Sequence, residues 1–362
     1  MNGFKNIEIK NFRGLDYLKI DDFSRVNVFL GQNNSGKSSV LEAIRLLTGL
    51  GNPSTPQNIN SLRTRNPFSA FKDVYYLFHN MDVKTPIEIA SEQFDDIARK
   101  FRLSLSYVFD TQNASQTSSM NGAMPISENK SFFNTLLMDF DLTSEKGTQS
   151  HQSSLTVNSE GIVTSRKLAE DYLEKNNTVY LTADLWGFNL AIELSELFKR
   201  KQKKIILERL SYFDSRITDI DILQDDIYVD FDGLVEKLPL RMTGDGLRRY
   251  LNIVAASANP TTSIILIDEI DNGLHYSVYK KLWEAIFVLA TTTNKQVFVT
   301  THSKENLSSL NEMLEENSDY QKELGLYTIE KTLKKGLQAY KLTHEGLRSA
   351  CNNDIEIRSV VL

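Results

Sequence analysis

Eight consecutive residues, Gly31-Gln32-Asn33-Asn34-Ser35-Gly36-Lys37-Ser38, match G-x-x-x-x-G-K-[ST] in full, with Ser39 following. Two glycines at this spacing let a backbone curl until its N–H groups face a phosphate, and a helix starting at the loop adds the positive end of its dipole. Lys37 then reaches β and γ phosphates, and the Ser38 hydroxyl binds Mg2+. A second group is Asp268-Glu269 at the end of the apolar run Ile264-Ile265-Leu266-Ile267. Asp268 suits the Mg2+ shell, and Glu269 suits a general base that polarises water. Thr300-Thr301-His302-Ser303 ends the next apolar run, 33 residues beyond Glu269. There His302 could hydrogen-bond a γ-phosphate.

Lys37 and Asp268 lie 231 positions apart, so the elements between them must fold back on one site. Apolar runs at 7–9, 17–20 and 26–30, parted by turn-prone Asn11, Gly14, Asp21 and Asp22, read as three strands. Val40, Leu41, Ile44, Leu47 and Leu50 then mark a helix that Gly49, Gly51 and Pro53 stop. Residues 51–70, rich in Asn, Ser, Thr and Pro, read as a loop before an aromatic stretch at 68–78. Residues 101–109 alternate as a strand, whereas the polar stretches 111–122 and 144–154 read as exposed loops. A short strand at 179–181 precedes a helical segment at about 186–215 carrying Leu190, Leu194, Leu197, Ile205, Leu207 and Leu210. Helix at 244–258, strand at 264–267, helix at 276–290 and strand at 297–299 alternate as in a parallel sheet. A hairpin around Lys335-Gly336 and a helix from Thr343 follow. The chain thus reads as one α/β domain over 1–362: a β-rich N-terminal lobe (1–50), a long α+β insertion (51–240) and a C-terminal parallel-sheet lobe (241–362).

At 362 residues, with 41% hydrophobic and 24% charged residues, the composition is ordinarily globular and excludes wholesale disorder or a collagen-like fibre. One cysteine can close no intramolecular disulfide and build no Cys-rich zinc site. MNGFKNIEIKNFRG lacks the apolar core of a secretory signal, and no run approaches the ~20 apolar residues that span a bilayer. A cytoplasmic protein without membrane contact is expected. The net charge of −6 argues against coating nucleic acid by bulk charge.

Taken together, the phosphate loop, the Asp-Glu strand end, Asp271-Asn272-Gly273-Leu274-His275 and Thr-His-Ser resemble the ABC-type ATPases of the RecF/SMC superfamily, a P-loop NTPase head. The opening Ile7-Glu8-Ile9-Lys10-Asn11-Phe12-Arg13-Gly14 and the Asp-Asn-Gly-Leu-His stretch are most similar to the OLD family. The resemblance covers about residues 1–50 and 240–310. It implies ATP and Mg2+ as cofactors, and a homodimer or higher homo-oligomer in which two ATP molecules are sandwiched between subunits. It further implies that Thr243, Gly244 and Gly246 form the signature motif, with Asp245 departing from the transporter-type Leu-Ser-Gly-Gly-Gln. Asp271 matches the acid that couples the two sites, and Arg13 matches an arginine lying near nucleotide, with a surface salt bridge as the alternative. No Q-loop glutamine is evident among Gln57, Gln93 and Gln224, none of which has a strand context.

Other signals compete. Lys199-Arg200-Lys201-Gln202-Lys203-Lys204 places five positive charges in six residues of a predicted helix; it is a candidate nucleic-acid contact or simply a solvated face. Asp219-Ile220-Asp221 and Asp230-Phe231-Asp232-Gly233 look like the Asp-x-Asp of a TOPRIM nuclease. Both precede the Asp268-Glu269 strand, however, and Asp232-Gly233 reads as a hairpin turn. Only 60 residues follow His302, fewer than a TOPRIM domain of about 100 residues needs, so no nuclease site is expected. Asn294-Lys295-Gln296-Val297 lacks the Asp that reads guanine. These features favour an ATPase that switches a separately encoded nuclease or toxin, as relatives do in anti-phage defence, over a RecF-like DNA-repair clamp.

Overall fold

Strands buried on both faces must lie between layers, and the apolar runs at 26–30, 264–267 and 296–300 are buried along their whole length. The computed structural model describes residues 3–64, 71–109, 132–158, 163–169, 172–182, 189–224, 226–332 and 336–358. Its strands are β1 (Ile7–Phe12), β2 (Leu15–Ile20), β3 (Val26–Leu30), β4 (Ile87–Glu92), β5 (Ala98–Phe109), β6 (Phe132–Ser144), β7 (Gly147–Val157) and β8 (Val163–Lys167). They continue as β9 (Thr178–Leu181), β10 (Ile217–Leu223), β11 (Asp226–Phe231), β12 (Leu238–Pro239), β13 (Ile264–Ile267), β14 (Gln296–Thr300), β15 (Leu324–Thr332) and β16 (Gly336–Leu342). The helices are α1 (Lys37–Leu47), α2 (Thr55–Thr64), α3 (Leu190–Lys199), α4 (Lys203–Phe213), α5 (Asp245–Ala258), α6 (Tyr279–Thr292), α7 (Lys304–Glu316) and α8 (His344–Asn352).

A six-stranded sheet in the order β16-β15-β3-β14-β13-β9 forms the centre; it is parallel except at β16. Side chains alternate across it. Val26, Val28, Leu30, Ile265, Ile267, Val297 and Val299 join a core with α3 to α7. Phe29, Ile264, Leu266 and Phe298 face the other way, toward α1 and a seven-stranded antiparallel sheet ordered β2-β1-β4-β5-β6-β7-β8. The carboxyl ends of β3, β13 and β14 therefore open on one rim, where ligands of parallel sheets bind. A small sheet, β10-β11-β12, lies outside these layers. This is the mixed α/β architecture expected of the chain.

Several expectations need correction. Residues 55–64 form α2 rather than loop: Pro56 sits in the first turn, where a missing N–H costs nothing, and Ile59 is buried. Residues 147–154 belong to β7, which pairs along β6. Their lack of alternation follows from a hairpin whose outer end, 147–150, is exposed on both faces, tied by polar pairs, Thr143–Thr148 at 2.9 Å, Ser150–Asp141 at 2.6 Å and Gln152–Asp139 at 2.6 Å. The helical segment is two helices, α3 and α4, broken where Lys201 takes φ +62°. The stretch 111–122, residues 68–70, residues 186–188 and Lys335 lie outside the described residues.

The basic run is consequently not one helix face. Lys199 pairs with Glu196 at 2.8 Å, Lys204 approaches Glu208 at 3.9 Å, and Lys203 reaches both Asp219 and Asp221 at 2.8 Å. The Asp-x-Asp of β10 is thereby engaged by Lys203 and Lys237. Desolvation opposes ionisation of Asp219, yet the two lysines hold its carboxyl down at about 2. Asp232-Gly233 is the expected turn after β11.

Candidate functional site

β3 delivers the chain to Gly31 at the rim, and α1 carries it away from Lys37. Between them, Gly31 has φ +153° and Gly36 φ +96°. A Cβ at Gly31 would collide with the Ser35 hydroxyl and, at 2.6 Å, with the Ile329 carbonyl of β15; one at Gly36 would meet Leu15 at 2.7 Å. Glycine is required at both places. The loop folds around itself: Lys37 Nζ donates to the carbonyls of Gly31 (2.7 Å) and Gln32 (2.8 Å). The Ser35 Oγ is buried and has no hydrogen-bond partner among the described residues. Burial pushes the Lys37 ammonium below its ordinary value, while the charges of Asp268, Glu269 and Asp271 pull the other way. An anion beside Lys37 would satisfy both groups.

Ser38 Oγ, at the start of α1, donates to Asp268 Oδ1 at 2.9 Å although 230 positions separate the two residues. The same Oδ1 accepts from Thr300 Oγ1 at 2.6 Å, and that hydroxyl accepts from the Glu269 N–H at 2.8 Å. Two hard oxygens, one ionised, at the foot of a phosphate cradle form the donor set that Mg2+ takes when it also binds phosphate. Glu269 lies at φ +48°, a sparsely populated conformation for a non-glycine residue. Arg249 of α5, only 3% exposed, holds it there by donating to the carbonyls of Asp268 (2.7 Å), Glu269 (2.6 Å) and Thr182 (3.2 Å).

Residues 26–308 match the family model AAA_21, described as "AAA domain, putative AbiEii toxin, Type IV TA system". The chain belongs to this family. An "ATP/GTP phosphatase" of Helicobacter pylori is 27% identical over 335 residues, which span 86% of this chain and 88% of that protein. The DNA replication and repair protein RecF of Lactococcus lactis is 54% identical over 43 residues, a local likeness covering 12% of either chain. An SMC head solved with the C-winged helix domain of ScpA aligns with 96% of this chain and 99% of its own, at 13% identity and a TM-score of 0.46.

The remaining expected residues of this AAA_21 protein are distributed unevenly. His302 follows β14, 44% exposed at its side chain, with Nδ1 3.5 Å from Asp271 Oδ2. Asp271 is buried and also accepts from Thr301 Oγ1 at 2.5 Å, so acid and histidine form one unit. Thr243, Gly244 and Gly246 lie at the start of α5 and line an open cavity of about 510 Å³ with Phe213, Phe231 and Leu238. Asp245 is turned to Arg248 at 2.6 Å, which offsets its charge. Arg13 makes no surface salt bridge: it is buried against Glu42 at 2.5 Å, and Glu42 also takes Arg63 at 2.6 Å. Arg63 Nη2 in turn lies 3.5 Å from Ser39 Oγ, so this cluster braces α1 behind the loop. Gln93, contrary to expectation, does follow a strand, β4, but its side chain accepts from Arg99 Nε at 2.8 Å. Gln57 lies on α2 and Gln224 follows β10.

Arg249 and Thr300 escaped the sequence reading. Thr300 stood in the quoted Thr-Thr-His-Ser run, and its place as the last residue of a buried strand beside Asp268-Glu269 was the available signal. For Arg249, one arginine on a helix bearing two, no local pattern exists.

Proposed function

We propose that this protein binds ATP with Mg2+ at the Gly31–Ser39 loop and hydrolyses it. The observation that carries this is the Ser38–Asp268 contact at 2.9 Å beside a lysine folded over the loop carbonyls. Ser38 and Asp268 would hold Mg2+, which would neutralise charge on the phosphates. Glu269, with its backbone fixed from both sides, is the general base. His302, carried by Asp271, contacts the γ-phosphate. Thr243, Gly244 and Gly246 grip nucleotide from a second subunit, giving a homodimer or larger homo-oligomer, and the whole chain acts as one head with an insertion over 51–240. The finer reading is an OLD-like cytoplasmic ATPase that switches a separately encoded nuclease or toxin in anti-phage defence. The family description, with its toxin–antitoxin context, supports that direction. A RecF-like clamp on DNA has less support, because Lys203 of the basic run is engaged by two aspartates.

The test is ATP turnover and ATP binding by the full chain. Lys37→Ala should lose nucleotide affinity. Glu269→Gln should bind ATP and turn it over ~10²- to 10⁴-fold more slowly, the usual contribution of a positioned base. Equal turnover in wild type and Glu269→Gln rejects the assigned base.

A further inference from the structure

The polar stretch at the tip of the β6–β7 hairpin has no part in the nucleotide site. β7 pairs with β6 from Gly147 to Val157, but β8 covers its other edge only from Ser154 to Val157. No described residue pairs with the outer edge of 147–153. Along it, every second N–H and C=O points away from β6. Natural sheets blunt such an edge with lysine, proline or a bulge. Gly147-Thr148-Gln149-Ser150-His151-Gln152-Ser153 carries neither residue, and the irregularity in the β7–β8 ladder falls later, at Thr156/Val157. Its polar side chains do not fold over the edge either, because Thr148, Ser150 and Gln152 are bonded back to Thr143, Asp141 and Asp139 of β6.

The same hairpin lines an open cavity of about 820 Å³, closed on its other side by residues 172–175. One wall is aromatic: His151 stacks on Phe140 with ring centroids 5.2 Å apart, and Tyr172 packs against both, at 4.8 and 5.3 Å. That wall is held in place, since Tyr172 donates to Glu174 at 2.5 Å and buried Arg99 grips the same carboxylate at 2.9 and 3.0 Å. His151 is half-buried, and its ring nitrogens have no hydrogen-bond partner among the described residues. Lys146 and Lys175 line the cavity, and Arg166 and Lys167 end β8; none of the four has an ion-pair partner among the described residues. Of the acids at the cavity, Asp95, Asp96 and Glu145, Lys5 takes Asp96 at 2.5 Å. Unpaired cations therefore outnumber unpaired carboxylates.

We propose that this edge is a docking slot for an extended, acidic segment of a partner protein, which adds a strand beside β7 and seats an apolar side chain in the cavity against His151 and Tyr172. Only another backbone matches a row of alternating donors and acceptors at strand spacing, and a pocket beside the row reads alternate side chains. A second copy of this chain fits poorly. Two β7 strands paired over 147–153 about a two-fold axis would bring Lys146 of each copy to Ser154 of the other, beside the Lys167 that already pairs there, and like charges so placed repel.

The test uses the full chain and displayed random peptides of about ten residues, long enough to cover the edge at ~3.3 Å per residue. Peptides that bind should be acidic and carry an apolar residue, and hydrogen exchange should show them protecting amides within 147–153. Methylating alternate peptide nitrogens should weaken binding about tenfold, the loss of one or two backbone hydrogen bonds. Methylating the nitrogens between them should change it by less than about twofold. Lys146→Glu combined with Lys175→Glu should weaken binding about tenfold at low salt and less at high salt, with the thermal midpoint and ATP turnover unchanged. The proposal is overturned if no peptide is selected, if those selected protect another segment, if they tolerate methylation at every nitrogen, or if the double lysine reversal leaves their affinity unmoved. It is equally overturned if the amides of 147–153 are protected in the chain alone and lose that protection on dilution, because a second copy then fills the slot.

Discussion

Thr300 offers a sharp perturbation, because one hydroxyl links both acids of the site. It donates to Asp268 Oδ1 at 2.6 Å, accepts from Glu269 N–H at 2.8 Å and is fully buried. Thr300→Val keeps the shape, so no cavity term enters. The variant loses a hydrogen bond to a carboxylate, about 1.5–3 kcal/mol, and leaves an amide unpaired, about 1–3 kcal/mol. Partial relaxation brings the expected total to roughly 3 kcal/mol. With a urea dependence of about 3 kcal/mol per molar, the unfolding midpoint should fall by about 1 M. Because Asp268 Oδ1 would keep only its contact with Ser38, half-saturating Mg2+ for ATP turnover should rise about tenfold, the equivalent of one such bond. Thr300→Ser, which retains the hydroxyl, should keep the wild-type Mg2+ dependence. A Thr300→Val protein with an unmoved urea midpoint and unmoved Mg2+ dependence would refute the view that this hydroxyl fixes the acids.

Glu42 is 2% exposed and holds Arg13 and Arg63 together. Glu42→Gln should therefore cost about 3–5 kcal/mol, the penalty of breaking a buried pair from one side; a denaturation loss under about 1 kcal/mol counts against it. Lys295 gives a pH signature. Burial pushes its ammonium down to about 8 from an ordinary 10.5, with Glu193 acting weakly in the other direction. Its folded value lies below its unfolded one, so the unfolded chain binds the extra proton between those limits and stability rises with pH there. Below pH 8 the burial penalty is fully present. Subtracting the stability curve of Lys295→Met from that of wild type should leave a difference that rises by about 2 kcal/mol from pH 7 to 9.5. A flat difference would mean that Lys295 titrates normally.

What the sequence made legible follows from how local each signal is. The loop, the acids and the strand–helix alternation are contiguous patterns, and their partners are fixed once the sheet is parallel. That is why Ser38 and Asp268 could be paired across 230 positions. Helix α2 could not be read, because its polar residues are satisfied by tertiary bonds: Asn60 Nδ2 to the Asp73 carbonyl at 2.6 Å, and Arg63 to Glu42. The outer end of β7 is hidden for the same reason, since there pairing with β6 rather than burial keeps the chain extended.

Arg13 illustrates the limit more fully. Its position after the first strand is visible in the sequence, yet its surroundings depend on Glu42, and the structure buries it against that carboxylate instead of leaving it in a surface salt bridge. Glu42 lies on the inner side of α1, five residues beyond Lys37, so a buried carboxylate there requires cations from elsewhere. Arg13 and Arg63 supply them from the β1–β2 turn and α2. The charge of α1 is thus balanced on one side by these two arginines and is open to phosphate at its first turn. Under the proposed function, a helix anchored in this way would stay put while ATP and its products exchange.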